Sequence, residues 1–261
     1  MLKKQFISEN LTLSYEDVGQ GEPIVLLHGF CGSHAYWERI MPELAKQYRV
    51  IAPDLRGHGG STYQTDEYTI EDMAEDIKLL LEALNINKVS MFGHSLGGYI
   101  TLAFVERYSS MLNSFSLVHS TAFADSDEAI AGREANIKKV EKDGVRPLIN
   151  GLVPKLFSEN NVMKMMEEEA YIKEIGYKTS KEGTIGALKA MKNRPNRSDI
   201  LEHTSLPVLL VAGEQDLIIP TAKVFSTSKD NVTQSLIKHV GHMSMFEDSE
   251  QLLSDIKSFL S

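Results

Sequence analysis

The chain is short of several things. Among 261 residues there is one cysteine, Cys31, and one tryptophan. A single thiol excludes an intrachain disulfide and any paired-cysteine metal site, and it fits a reducing compartment. Basic clusters are missing too: 27 Lys and Arg face 36 Asp and Glu, a net charge of −9 spread along the chain. Nucleic acid and anionic membrane surfaces are therefore poor partners, since both select a concentrated positive patch. No apolar run approaches the ~18 residues that a membrane span needs. The opening "MLKKQFISENLTLSYEDVG" lacks the apolar core of a secretory signal. The expectation is a cytoplasmic protein with no membrane span. Repeats, low-complexity tracts and linkers are also absent, so the length suits one large α/β domain carrying an insertion.

What is present is a 42% apolar fraction arranged in two periods. Short apolar runs at residues 23–27, 50–52, 89–92, 115–118 and 208–211 read as buried strands, and residues 11–17 alternate like an exposed edge strand. Helical patterns lie between them: one around Trp37, Ile40 and Leu44, and one with Ile70, Met73, Ile77 and Leu81 on a single face. A final helix is buried through Leu252, Ile256 and Leu260. Thr69 and Asp72 have the spacing of a capping box for the second of these. Strands alternating with helices predict a mostly parallel, doubly wound α/β sheet. Residues 123–204 break the rhythm with charged helical patterns and no convincing buried strand. They read as a helical cap inserted into a core made of 1–122 and 205–261, most of their apolar residues packing the insertion onto the body.

The stretch "VSMFGHSLGGYITLAFVERY", residues 89–108, switches from strand to helix at Ser95, with Gly93, Gly97 and Gly98 around it. Such a tight turn needs residues without bulky side chains and lifts the central hydroxyl above the strand end. A serine hydroxyl is a poor nucleophile near neutral pH, so it needs a base, and the base needs a carboxylate to orient it. Eight histidines are available; His242, in "VGHMSMFED", lies in a loop just before the last helix. Asp216, in "PVLLVAGEQDLIIP", follows a buried strand at the end where open parallel sheets build their sites. Glu214 is an alternative carboxylate two residues away, and Cys31 an alternative nucleophile without the glycine turn.

The order Ser95, Asp216, His242 resembles that of the α/β-hydrolase fold superfamily, serine-nucleophile branch, and the resemblance runs over nearly the whole chain. His28-Gly29-Phe30 resembles the family's oxyanion loop, "DLRGHGGS" its following turn, and Gly93 to Gly98 its nucleophile elbow. "GEQDLIIP" resembles its acid loop and "GHMSMFE" its histidine loop. The resemblance implies Ser95 as nucleophile, His242 as general base and acid, Asp216 as orienting carboxylate, and the N–H groups of Phe30 and Leu96 as oxyanion hole. Cys31, Tyr99, Phe157, Met191 and Met243 are expected in the substrate pocket. The chemistry expected is hydrolysis of a small ester through an acyl-enzyme, without cofactor or metal. Carbon-carbon bond hydrolysis or a lyase reaction with the same triad, and a receptor that binds without turnover, are the alternatives. Ser95 at the elbow argues against epoxide and haloalkane chemistry, where relatives use aspartate.

Overall fold

The computed structural model describes residues 2–9, 11–63, 65 and 67–261. Among the described residues nine strands form one sheet: β1 (Lys3–Ser8), β2 (Leu11–Val18), β3 (Pro23–Leu27), β4 (Arg49–Pro53), β5 (Thr62–Tyr63), β6 (Val89–His94), β7 (Leu112–Val118), β8 (Val208–Gly213) and β9 (Val232–Ile237). The order is β1-β2-β4-β3-β6-β7-β8-β9, with β5 paired to β2. From β4 to β9 the neighbours are parallel; β1 and β2 add an antiparallel margin. This is the mostly parallel α/β sheet that the alternating pattern predicts.

The helices are α1 (Met41–Leu44), α2 (Ile70–Ala83), α3 (Leu96–Tyr108), α4 (Asp127–Asp143), α5 (Val145–Leu152), α6 (Glu159–Val162), α7 (Met166–Gly176), α8 (Lys181–Asn193), α9 (Ser198–His203), α10 (Thr221–Val224), α11 (Ser244–Glu247) and α12 (Ser249–Leu260). Successive strand residues point to opposite faces, so each central strand feeds two cores. Val25, Leu27, Met91 and Leu210 join α2 and α3, while Ile24, Leu26, Phe92 and Leu209 pack with Trp37, Ile40, Leu252 and Ile256. Thr69 and Asp72 cap α2 reciprocally. Among the described residues no helix is long and apolar enough to cross a membrane.

One expectation needs correcting. Residues 11–17 are not an edge: β2 lies between β1 and β4, with Leu11, Leu13 and Tyr15 buried. The edge is β1, whose "KKQFIS" leaves Phe6 exposed and has no buried face to betray it. Polar, exposed edge strands are a common defence against sheet-to-sheet pairing.

Between β7 and β8 the chain folds as helices α4 to α9. Helix α8 sits on the loop after β4 with glycine against glycine: a Cβ at Gly183 would lie 2.3 Å from the Gly57 carbonyl oxygen. Ser180 N–H donates to that same oxygen at 3.2 Å, and the Tyr68 hydroxyl donates to the Gly183 carbonyl at 2.7 Å. The helical segment is thereby fixed above the C-terminal ends of the parallel strands.

Candidate active site

Ser95 separates β6 from α3 and has φ 50° and ψ −111°, a conformation that L-residues avoid without support from their surroundings. The support is visible. A Cβ on Gly93 would approach the Gly97 carbonyl oxygen to 2.3 Å, and one on Gly97 the Leu27 carbonyl oxygen to 2.4 Å, so only glycine allows strand, turn and helix to close this tightly. Ser95 N–H donates to the Val118 carbonyl at 3.0 Å, and its own carbonyl accepts from the Ser120 hydroxyl at 2.7 Å. Both ends of the peptide are held, leaving the side chain as the free group.

Asp216 lies in the loop after β8, and His242 in the turn before α11. Nδ1 of His242 is 2.7 Å from Oδ2 of Asp216. Oδ1 of the same carboxylate accepts the N–H groups of Ile218 at 2.8 Å and Ile219 at 3.0 Å. Burial would raise the Asp216 pKa, but the neighbouring His242 and His119 outweigh it and hold the carboxyl well below the usual carboxylate range. An ionised Asp216 fixes Nδ1 of His242 as the N–H donor and leaves Nε2 as the basic nitrogen. Ser95 and His242 face one cavity of about 90 Å³.

Of the two expected oxyanion donors, one belongs to the cavity wall and the other follows Ser95 in the chain. Phe30 lines the cavity, and Leu96 is the first residue of α3, where N–H groups have no acceptor within the helix. Neither Phe30 N–H nor Leu96 N–H donates to an acceptor among the described residues.

Of the residues expected in the pocket wall, Tyr99 and Met191 line the cavity, together with Tyr36, Leu152 and Leu156. Cys31, Phe157 and Met243 do not: all three are buried in the second core, beneath the wall. Helical or loop spacing marks such residues as inward-facing but cannot separate a core wall from a cavity wall. Burial pushes the Cys31 thiol up to about 12, so it stays protonated and inert. Glu214 turns away from the site and accepts His239 N–H at 3.0 Å.

Three features escape the sequence reading. His119, at the end of β7, has Nδ1 3.4 Å from Oδ2 of Asp216 and Nε2 2.7 Å from the Ser244 hydroxyl. His94 lies against His242, ring centroids 4.8 Å apart, its Nε2 2.9 Å from the His242 carbonyl oxygen. Arg133 of α4 reaches the cavity wall; its signal is an arginine on the stripe of Ile130, Ile137 and Val140. The ligand atoms of His119, Asp216 and His242 lie within 4.8 Å of one another, a spacing that could hold a metal. The hydrogen bonds above already engage both Asp216 oxygens and Nδ1 of His242.

Known proteins of similar sequence and fold identify the family. The chain is 28% identical over 265 residues to the AB hydrolase superfamily protein YisY of Bacillus subtilis, covering 96% of each. It is 26% identical to the 2-hydroxy-6-oxo-6-(2'-aminophenyl)hexa-2,4-dienoic acid hydrolase of Metapseudomonas resinovorans, over 95% of this chain and 87% of that protein. A thermophilic esterase from Thermogutta terrifontis superposes with a TM-score of 0.94 at 29% identity, over 100% of this chain and 98% of that one. A family model for the alpha/beta hydrolase fold matches residues 22–249. With a match over most of its length, the chain belongs to the α/β hydrolase fold family.

Proposed function

We propose that the protein is a serine hydrolase acting on small carboxylic esters through an acyl-enzyme. The observation that carries this reading is the juxtaposition of a strained Ser95 with a His242 that Asp216 orients at 2.7 Å, both facing one cavity. Nε2 of His242 takes the Ser95 proton as Oγ attacks the ester carbonyl. The N–H groups of Phe30 and Leu96 stabilise the tetrahedral oxyanion. His242 then protonates the departing alcohol, and water activated by the same nitrogen releases the acid. No step calls for a cofactor or a metal. The 123–204 segment acts as the cap, contributing Arg133, Leu152, Leu156 and Met191 to the wall and so selecting the substrate.

Carbon-carbon bond hydrolysis is the second reading, favoured by the similarity to the dienoic acid hydrolase. One experiment addresses both: turnover is screened over esters, lactones and vinylogous diketones, with Ser95→Ala as control. In parallel an organophosphonate adduct is mapped by peptide mass spectrometry. Ester turnover with the label on Ser95 supports the first reading; turnover of diketones alone supports the second. A label on Cys31 or on another serine, with activity lost, overturns the assignment of the nucleophile.

A further inference from the structure

The cavity at Ser95 is apolar and aromatic over most of its wall, yet Arg133 is part of that wall. Arginine in such a place needs a counter-charge, since an unpaired buried cation is costly. The available one is Asp125, which is divided between two cations. Arg133 Nε and Nη2 donate to it, and Arg194 Nη1 donates to Oδ1 at 2.6 Å. Arg194 spends further donors on the carbonyls of Met191 and Phe123 and lies over the Tyr99 ring at 3.9 Å. Its Nε is buried without a partner among the described residues. Two guanidiniums and one carboxylate leave a net charge of +1 in a group whose side chains are 21%, 4% and 5% exposed. Among the described residues, Nη1 of Arg133 has no protein acceptor.

A second cavity of about 130 Å³ shares Tyr99, Arg133 and Ile218 with the first and adds Arg194, Lys223 and the one carboxylate, Asp125, to its wall, so its cations outnumber its anions. Arg133 therefore stands where an apolar chamber at the nucleophile meets a positively charged one. We propose that this junction is an anion subsite, and that the substrate is an ester or lactone bearing a carboxylate remote from the reacting carbonyl. The carboxylate docks on Arg133 and the chain between the two groups fills the apolar chamber. The inference rests on the serine hydrolase reading and adds its substrate class.

The test compares isosteric pairs that differ in charge alone. One pair carries it on the acyl side, para-nitrophenyl hydrogen adipate against para-nitrophenyl adipamate; the other on the alcohol side, para-acetoxybenzoate against para-acetoxybenzamide. In the wild type, kcat/KM favours the carboxylate in at least one pair. A charge-assisted contact from Nη1 implies that Arg133→Gln lowers that preference by about 10- to 100-fold, and that Arg133→Lys restores part of it. A wild-type ratio at or below one in both pairs overturns the subsite, as does a ratio that Arg133→Gln leaves as it was. Should Arg133→Gln fail to fold, salt decides with the wild type alone: a preference that shrinks as salt is raised supports the subsite, and a constant one overturns it. Turnover of the amides without preference for the acids sinks this inference only. If neither member of either pair turns over faster than with Ser95→Ala, the hydrolase reading falls with it.

Discussion

At the scale of single residues, the site separates groups that look alike in sequence. Asp216 and Glu214 are two positions apart, but one orients His242 and the other binds the His239 backbone. Asp216→Asn should therefore lower kcat by up to about 10⁴-fold by favouring the wrong imidazole tautomer. Glu214→Gln should cost no more than about 3-fold, because a surface contact is worth little. Steady-state kinetics on one good ester checks both, and the opposite ranking would reassign the acid. Met191 and Phe157 form a second such pair. Met191 lines the cavity, so Met191→Ala should shift the preferred acyl length, by about 10- to 200-fold in relative kcat/KM. Phe157 is 1% exposed in the core, so Phe157→Ala should cost about 3 to 5 kcal/mol of stability and scale all esters alike. An acyl-length series with urea unfolding of each variant distinguishes them. The candidate triad of Ser95, Asp216 and His242 was legible because each stands at a glycine turn or a strand end, and because their order resembles that of the α/β-hydrolase family. The pocket wall was less so: periodicity tells which face of Phe157 or Met191 turns inward, not whether a neighbour or a space meets it.

At the scale of elements, what was legible is what is buried on both sides. The runs that became β3, β4, β6, β7 and β8 have no solvent face, and α2 has one clean apolar stripe with its cap. The strands β1 and β9, "KKQFIS" and "VTQSLI", show mostly exposed patterns and are held by pairing with a neighbour that no local signal announces. The seating of α8 on Gly57 is likewise a tertiary fact, and it can be tested against intrinsic propensity. Alanine is the better helix former by about 1 kcal/mol. At Gly132 of α4 a new Cβ meets nothing within 4 Å, so Gly132→Ala should raise stability by about 0.5 to 1 kcal/mol. At Gly183 the Cβ would fall 2.3 Å from the Gly57 carbonyl oxygen. There the same substitution should instead lower stability by about 1 to 3 kcal/mol and displace α8. Equilibrium urea unfolding measures both; a stabilising Gly183→Ala would mean that the helical segment is not clamped there.

At the scale of the whole molecule, the unusual feature is a band of neutral histidines beneath the site. His28, His58, His94 and His119 are all buried, and burial lowers each below its ordinary value of 6.5, His28 to about 3 and His58 to about 4. The unfolded chain takes up these protons near 6.5 and the folded chain does not. Between the two values the unfolded state binds more protons, so stability falls as pH falls. For His58 the loss begins near pH 6.5 and is complete near pH 4, where the folded protein binds the proton as well. Within that window one such imidazole costs about 1.4 kcal/mol per pH unit. His58→Asn tests this without emptying the site, because an amide N–H can stand in for Nδ1, which donates to the Arg56 carbonyl at 2.8 Å. His58 Nε2 has no hydrogen-bond partner among the described residues, so no hydrogen bond is lost on that side. The variant's unfolding free energy, measured in urea at steps from pH 7 to pH 4.5, should therefore fall less steeply than the wild type's. The two curves should diverge by about 1.4 kcal/mol per pH unit below 6.5. Parallel curves would mean that His58 is already protonated in the fold, and that the acid sensitivity belongs to other groups.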